Sequence, residues 1–556
     1  MARQRRARVA IAAVAVAGCL PTGSAPSGRH LLSDRALSGV HFSPSETEGV
    51  PSHLLVTGPG QFVGSPPYLS ADLYQVLADP TSETGYRLDQ TRLLSEWCLV
   101  SSTDASDFQV QTDIRGRLLL VAFQNIAGQV NPQPEVFRID LASGTRSYLG
   151  DPAYLLSTPS FRQSPGRTRV LDGFNLSSVS DLDGGNSSSC WSPNGATFVG
   201  EDVYFDCGIP PLYQTQDLWR SVPDGRPELL VHNARVFNSF DSDRGPRLIL
   251  ARTLATQDPP TGDHYLLFDP ATLETSPLPA LGNPPIFPNY VPTSPDGHWL
   301  FIVTDRLTLF NWITSETQDL GDTNDYVVSD REWRPGRSEL WLTLNDGTLR
   351  IWKPETGLTA VATTALPLSN YQAPVSKRSA FTRDGNYWFS SRPGDGPGGL
   401  PALYVGPTDD PAAPAFPITP AGAYVNSHWE LADGRVMAGA WTAYEYRKNY
   451  YLVDPRTGAS QVLAINGAMA AVGHTRALAY VNWQVSSGSS DLCLIDLATG
   501  AQTVLANNVY AADVDPGTYA DVPPGTDPLA PGTRVAYLVR ERMDSPYDGL
   551  WITELP

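Results

Sequence analysis

The chain is 556 residues long, 41% hydrophobic and 10% aromatic, with a formal net charge of −19. That length exceeds one ordinary domain, and the apolar content supports a real core, so several domains or a long repeat array are expected. The acidic balance argues against nucleic acid or anionic headgroups as partners, and 47 Gly with 49 Pro argue for many short strands joined by turns.

The only sustained apolar helix candidate is at the N-terminus, where it reads as a targeting signal. Arg3, Arg5, Arg6 and Arg8 form a positive region, and residues 9–17 form an apolar stretch. That stretch is too short to cross a hydrocarbon layer of roughly 30 Å. It ends in Val16-Ala17-Gly18-Cys19, which resembles a bacterial lipobox. The resemblance implies cleavage before Cys19 and lipidation of its thiol. An ordinary secretory signal with an incidental cysteine is the alternative. The pair Arg5-Arg6 is not followed by residues that match a twin-arginine signal. The expected address is the bacterial cell envelope, lipid-anchored, at the outer membrane or facing the periplasm or cell surface. Residues 1–18 hold four arginines and no acid, so their removal lowers the net charge by four more. Residues 19–49 are rich in Ser, Pro and Gly without a period and read as a flexible tether after Cys19.

Two signals then alternate along the chain. The first is an opening turn ahead of an apolar run. Ser192-Pro193-Asn194-Gly195, Ser294-Pro295-Asp296-Gly297 and Arg383-Asp384-Gly385 are clear cases, and looser ones begin at Ser164, Arg334, Ala432 and Pro531. Pro pre-sets φ, Asp or Asn caps the turn, and Gly takes the positive φ. The second is an apolar strand ending in Asp, then a Thr-Gly or Ser-Gly turn. Ile139-Asp140-Leu141-Ala142-Ser143-Gly144 and Ile495-Asp496-Leu497-Ala498-Thr499-Gly500 show it, Lys353 stands where Asp is expected, and the turns after Phe268 and Phe310 lack the Gly. These read as hairpins. The closing turns centre near residues 140, 181, 222, 269, 311, 353, 406, 454 and 496, at a spacing of 41 to 53. Less regular units precede them at 69–94 and follow at 535–553. The result is about ten or eleven four-stranded units, the period of β-propeller blades. Aromatics such as Trp299, Phe301, Trp341, Trp388 and Trp441 are expected to fill the gaps between blades.

The best-preserved copy spans 381–405, with Phe381-Thr382-Arg383-Asp384-Gly385, Phe389-Ser390-Ser391-Arg392 and Leu403-Tyr404-Val405. It resembles the repeat of TolB-type periplasmic β-propellers. The segments beginning at Tyr290 and Leu340 are similar to that repeat and to tryptophan–aspartate repeats. The resemblance covers most of 106–510 at motif level and implies an all-β propeller. Rings usually hold four to eight blades. The unit count therefore favours two rings, 50–285 and 286–556, divided near the Pro-rich run 281–288. One large ring, or an eight-bladed ring with extra hairpins, is the alternative.

Four cysteines follow Cys19. Cys190 and Cys207 flank a turn and a strand pair and are candidates for a local disulfide, which an oxidising envelope permits. Cys98 and Cys493 are candidates for a second bridge that would close a single ring. No Cys-x-x-Cys or paired-His spacing occurs, so no metal site or cofactor is expected. Neither a Gly-x-Ser-x-Gly elbow nor a phosphate-binding Gly loop is present. Asp181-Leu182-Asp183-Gly184-Gly185-Asn186 resembles part of a calcium loop but lacks the distal Glu. It reads as a hairpin, as do 322–325 and 513–517. His298 and His428 stand alone and read as turn or packing residues.

No catalytic constellation emerges. The favoured reading is a non-catalytic envelope module that binds a protein or glycan, or acts as a scaffold, through loops that differ between copies. Those loops are 392–399, 407–420 and 444–450, with Tyr444, Tyr446, Arg447 and Lys448 as candidate contacts. The alternative is a propeller enzyme, a lyase or glycosidase, with acids at a channel mouth.

Overall fold

A computed structural model describes residues 30–556 apart from 34–36, 44–50, 59–60, 64–67, 102–110, 113–116, 124–133, 151–160, 165–168, 175, 182–186, 191–195, 209–215, 224, 253–264, 279–292, 304, 345–347, 362–365, 368–380, 393–401, 414, 418–422, 443–447, 485–487, 516–526 and 541–548. The described chain is all-β. Its one helical turn is the 3-10 segment Thr323–Asp325. Every described strand pairing is antiparallel, and strands pair in sequence order except where the first described strand joins the last and where two short hairpin strands stand aside in the 39–150 sheet.

Four-stranded meanders span 161–190, 196–231, 234–277, 326–361 and 366–417. The sheet at 299–322 has three strands, and the bridge Thr293↔Leu300 stands where a first strand would lie. Two larger sheets run over 39–150 and over 423–554. In the second, long strands carry one meander into the next. The first part of Ala459–Val472 pairs with the preceding strand and its last part with the following one. All nine predicted closing turns fall between paired strands.

Burial within a meander follows strand order. In the 234–277 sheet the second strand, Arg247–Arg252, is almost wholly buried, and the fourth, Glu274–Pro277, is exposed throughout. Trp299–Val303 is buried at all five positions, as expected of a strand covered on both faces. The covers are the neighbouring sheets. One core cluster joins Leu248 and Phe268 to Tyr204 of the preceding sheet, and another joins Leu300 to Ile249 and Leu267. Trp299 and Trp333 pack on Trp352, and Trp341 packs on Phe381 and Trp388. Trp299, Phe301, Trp341 and Trp388 thus fill the gaps between sheets, as their alternation predicts. The side chain of Trp441 lies outside the described residues.

The first and last described strands meet. His30–Ser33 pairs with Gly549–Glu554 and becomes the outermost strand of the last sheet. Leu37, Val40, Phe42, Leu54 and Val56 share a core with Ala511, Ala536, Leu538, Leu550 and Ile552. The Phe42 N–H donates to Asp513 Oδ2 (2.7 Å), and Ser52 Oγ donates to Asp515 Oδ1 (2.5 Å). Two expectations are corrected here. The stretch 19–49 is not tether throughout, because His30–Ser33 and Gly39–Ser43 are strands. His30–Ser33 pairs only at the far end of the chain, and Gly39–Ser43, paired locally with His53–Thr57, completes its core there, which no local pattern reveals. And no disulfide joins Cys98 to Cys493. Cys98 is buried among Leu55, Leu94 and Phe137, whereas Cys493 is buried among Met437, Leu452 and Ile495. The closing sheet 509–554 stands between their two units.

Candidate functional site: two unlike faces

In an up-and-down meander the first-to-second and third-to-fourth connections lie at one end of the strands, and the second-to-third connections at the other. The chain therefore has a turn face and a loop face, and they are built differently.

On the turn face each closing Asp organises its own hairpin. Asp140 Oδ1 accepts from the Ser143 N–H (2.7 Å) and hydroxyl (2.8 Å). Asp496 Oδ1 accepts from the Ala498 N–H (3.0 Å), the Thr499 N–H (2.7 Å) and the Thr499 hydroxyl (2.7 Å). The Thr499 hydroxyl and backbone bonds hold the Asp496 carboxyl below its ordinary pKa. The residue four after the strand end has left-handed φ, 76° at Gly144 and 73° at Gly500. Where the sequence lacks Gly, Leu273 and Ser315 take the same conformation at 62°.

The opening turns use Ser or Thr with Asp. Thr382 Oγ1 donates to Asp384 Oδ1 (2.7 Å) and accepts from the Tyr387 N–H (3.1 Å), and Asp384 Oδ1 accepts from the Asn386 N–H (3.0 Å). Burial opposes the charges on Asp296 and Asp384, but the surrounding donors outweigh it, and both carboxyls lie below their ordinary range. Gly385 has φ +67°, and a Cβ there would sit 2.5 Å from the Pro335 carbonyl oxygen of the preceding opening turn. Gly297 approaches Ser242 as closely.

These turns interlock from one unit to the next. His298 Nε2 pairs with Asp243 (2.9 Å), and Ser338 Oγ donates to Asp296 Oδ2 (2.6 Å). The Arg383 N–H donates to Glu430. Arg435 Nη1 donates to the Leu497 carbonyl (2.7 Å), and Arg92 Nη2 to the equivalent Leu141 carbonyl (2.8 Å). The largest lock is centred on Arg334, 1% exposed. Its Nε donates to the Gly385 carbonyl (2.7 Å) and its Nη1 to Glu339 Oε2 (3.1 Å), and its Nη2 pairs with Asp409 (2.7 Å). Arg337 also pairs with Asp409 (3.2 Å), and Lys353 pairs with Glu339 (3.1 Å). The lysine that breaks the closing-turn pattern is thus used in this lock, and the Arg334 guanidinium draws the Asp409 carboxyl below its ordinary range.

Near the chain junction, Arg92 Nη2 donates to Gln75 Oε1 (2.5 Å), while Gln75 Nε2 donates to the Leu141 carbonyl (3.0 Å). That fixes the amide so that Nε2 faces His53 Nδ1 at 3.0 Å. The imidazole must then accept at Nδ1 and be neutral. Burial, then the charge on Arg92, lowers the His53 pKa to about 4.

The loop face carries the connections between Arg247–Arg252 and Tyr265–Asp269, between Tyr387–Arg392 and Ala402–Pro407, between Val436–Thr442 and Lys448–Asp454, and between Arg534–Val539 and Gly549–Glu554. These four run from 5 to 12 residues, while the loop-face connections after Arg169–Phe174 and Trp299–Val303 have one and two. Two of the predicted variable loops, 392–399 and 444–450, belong here. The third, 407–420, is a third-to-fourth connection and belongs to the turn face, where Asp409 closes the Arg334 lock.

Cys19, Tyr444, Tyr446 and Arg447 lie outside the described residues, and Lys448 opens the strand Lys448–Asp454, half-buried. Cys190 ends Ser187–Cys190 and Cys207 lies in Asp202–Gly208, two strands that approach one another. Their side chains lie outside the described residues, as does most of the calcium-like stretch after Asp181 and the side chain of His428. Among the described residues no group of three His, Cys, Asp or Glu could hold a metal ion. No described helix is long and apolar enough to cross a membrane. Asp513, Asp515 and Asp322 serve local or junction bonding. What sequence reasoning missed was the role of the arginines. The signal was present as Arg in the opening turns at 334, 435 and 534.

No known protein family matches the sequence, and no curated protein does. Solved structures with similar folds include the Porphyromonas gingivalis dipeptidyl peptidase 4, at 12% identity and TM-score 0.33, covering 92% of this chain and 65% of that one. The β-propeller domain of the Trilobed protease from Pyrococcus furiosus is similar at 10% identity and TM-score 0.25, with 77% and 97% covered. TolB from Acinetobacter baumannii is similar at 10% identity and TM-score 0.22, with 69% and 78% covered. The chain thus spans just under two thirds of the peptidase. At these TM-scores the alignments add no argument to the sheet topology.

Proposed function

We propose that this chain is a lipid-anchored, non-catalytic β-propeller of the bacterial cell envelope that binds a protein or glycan through its loop face. The observation that carries the reading is the asymmetry of the two faces. Many turn-face polar groups among the described residues are engaged in locks between units, and the loop face presents further connections of unequal length on the same scaffold. Rigid scaffolds with variable loops are a general recognition platform. Lipidation at Cys19 is supported by Val16-Ala17-Gly18-Cys19 after an apolar stretch. A single ring of about eleven units is supported over two rings by the β-pairing and shared core of the chain ends.

The test is capture from detergent-solubilised envelopes with the lipidated protein as bait. Joint replacement of Tyr444, Tyr446, Arg447 and Lys448 by Ala should abolish recovery of a specific component, and Glu355→Ala on the turn face should not. Equal capture by both variants would remove the support for loop-face recognition. Turnover of a polysaccharide by the purified protein would favour the enzyme reading instead.

A further inference from the structure

We propose that the anchor joins the fold at the turn face of its closing sheet, so that acylated Cys19 holds the turn face toward the bilayer and points the recognition loops away from it. The inference rests on the lipid-anchor reading above and adds an orientation to it. It starts from strand direction. In the closing sheet Val514 pairs with Val535 and Arg534 pairs with Glu554, so residues 514, 534 and 554 mark the turn-face end. Val539 pairs with Gly549 at the loop-face end. His30 pairs with Ile552 and Ser33 with Leu550. The N-terminal strand therefore enters at the turn face and runs toward the loop face. A neighbouring contact agrees. His30 Nε2 lies 4.0 Å from Glu83, which belongs to the turn between Tyr68–Ala78 and Tyr86–Ser101.

Tether length then decides the orientation. Ten residues separate Cys19 from His30. Any ten residues fully extended reach at most about 36 Å, and ten residues of a flexible chain have a root-mean-square span of about 17 Å. A six-residue strand such as Arg534–Val539 is about 20 Å long. To put the loop face on the bilayer, the tether would have to run back along the whole sheet and around the loops. That path would use more than half of the fully extended reach on the sheet alone and exceeds the mean span of a flexible ten-residue chain. An acidic protein is repelled by an anionic surface whichever end faces it, so charge does not compete with the tether. The outward loops then meet partners from the aqueous side: a soluble protein or a glycan rather than a lipid headgroup of the anchoring membrane.

The test uses the lipidated full chain in vesicles of phosphatidylethanolamine and phosphatidylglycerol that carry a headgroup acceptor dye. A donor dye is placed on a non-natural side chain at Pro531 or Glu355 on the turn face, or at Arg540 or Asp305 on the loop face. All four positions are exposed, and two per face guard against a variant that fails to fold. Energy transfer should be greater from both turn-face positions, by an amount matching about 20 Å of added distance at the loop face. Inserting twenty Gly/Ser residues between Cys19 and His30 should largely erase the difference. Equal or greater transfer from the loop face, or an asymmetry that survives the insertion, would overturn the proposal. Cys19→Ala should abolish vesicle association. If it does not, the lipid-anchor reading fails, and that outcome is distinct from a bound protein with the wrong face down.

Discussion

Arg334 and Arg337 stand in one opening turn and reach the same two carboxylates, yet replacing each by Met should have very different consequences. Arg334 is 1% exposed, whereas the Arg337 side chain is 53% exposed. Removing the Arg334 guanidinium leaves the Gly385 carbonyl without its donor and Glu339, 7% exposed, without its nearer arginine. Breaking a buried ion pair from one side costs about 3–5 kcal/mol. Lys353 remains 3.1 Å from Glu339, so the lower end, about 3 kcal/mol, is expected. The Arg337 guanidinium is itself exposed and 4.0 Å from Glu339, so its pairs are worth about 1 kcal/mol or less. The assay is the urea midpoint followed by tryptophan fluorescence, because Trp341 and Trp388 are buried in the two sheets that the lock joins. In 1 M NaCl the Arg337→Met effect should vanish, and the Arg334→Met effect should persist. A double replacement of Arg334 by Met and Glu339 by Leu should recover part of the loss. If the two single variants cost the same, or the Arg334 effect is screened away by salt, burial is not what makes this lock strong.

Four further outcomes follow from the same geometry. Gly385→Ala should cost about 3 kcal/mol, combining positive φ with a clash at the Pro335 carbonyl, whereas Gly434→Ala, at φ +81° with no atom within 4 Å, should cost about 1 kcal/mol; equal midpoints would refute the close-approach argument. Leu273→Gly should stabilise by about 0.5 kcal/mol, because it relieves a left-handed φ of 62° at an exposed residue; a lower midpoint would count against it. His53 has a depressed folded pKa, so its contribution is complete above its unfolded pKa of 6.5 and is lost as pH falls toward about 4. That amounts to about 3 kcal/mol at pH 4, and His53→Gln should flatten the stability profile across that window; parallel profiles would remove the neutral-imidazole assignment. Thiol alkylation of unfolded, unreduced protein from the oxidising compartment should label Cys98 and Cys493 but not Cys190 and Cys207, and labelling of all four would exclude the local bridge.

The repeat was legible in the sequence because its physics is local. An Asp at a strand end bonds to N–H groups two and three residues on, and Gly supplies the positive φ that follows. Such turns announce themselves wherever they recur, which is why the hairpins at 140, 454 and 496 could be placed from the closing motif and the others from its looser forms and its spacing. Even its failures carried information: Leu273 and Ser315 take the glycine conformation without glycine, since the strand pairing on either side determines the turn. Burial of the alternating tryptophans was legible for the same reason. The locks were not. Arg334 and Asp409 are 75 residues apart in sequence, and nothing near either marks the other as its partner. The 407–420 loop looked variable, and its position on the turn face follows only from counting strands within a sheet. The chain ends were the least legible part. Leu31 becomes strand only against Trp551, and Val40 and Phe42, although their strand pairs locally with His53–Thr57, complete their core with residues some five hundred positions later. The sequence by itself determined the unit and its turns, because both are set by contacts within a few residues. Only the tertiary structure decided how the units lock and where the ends meet, and hence which face the tether leaves from, because those depend on pairings that local sequence does not encode.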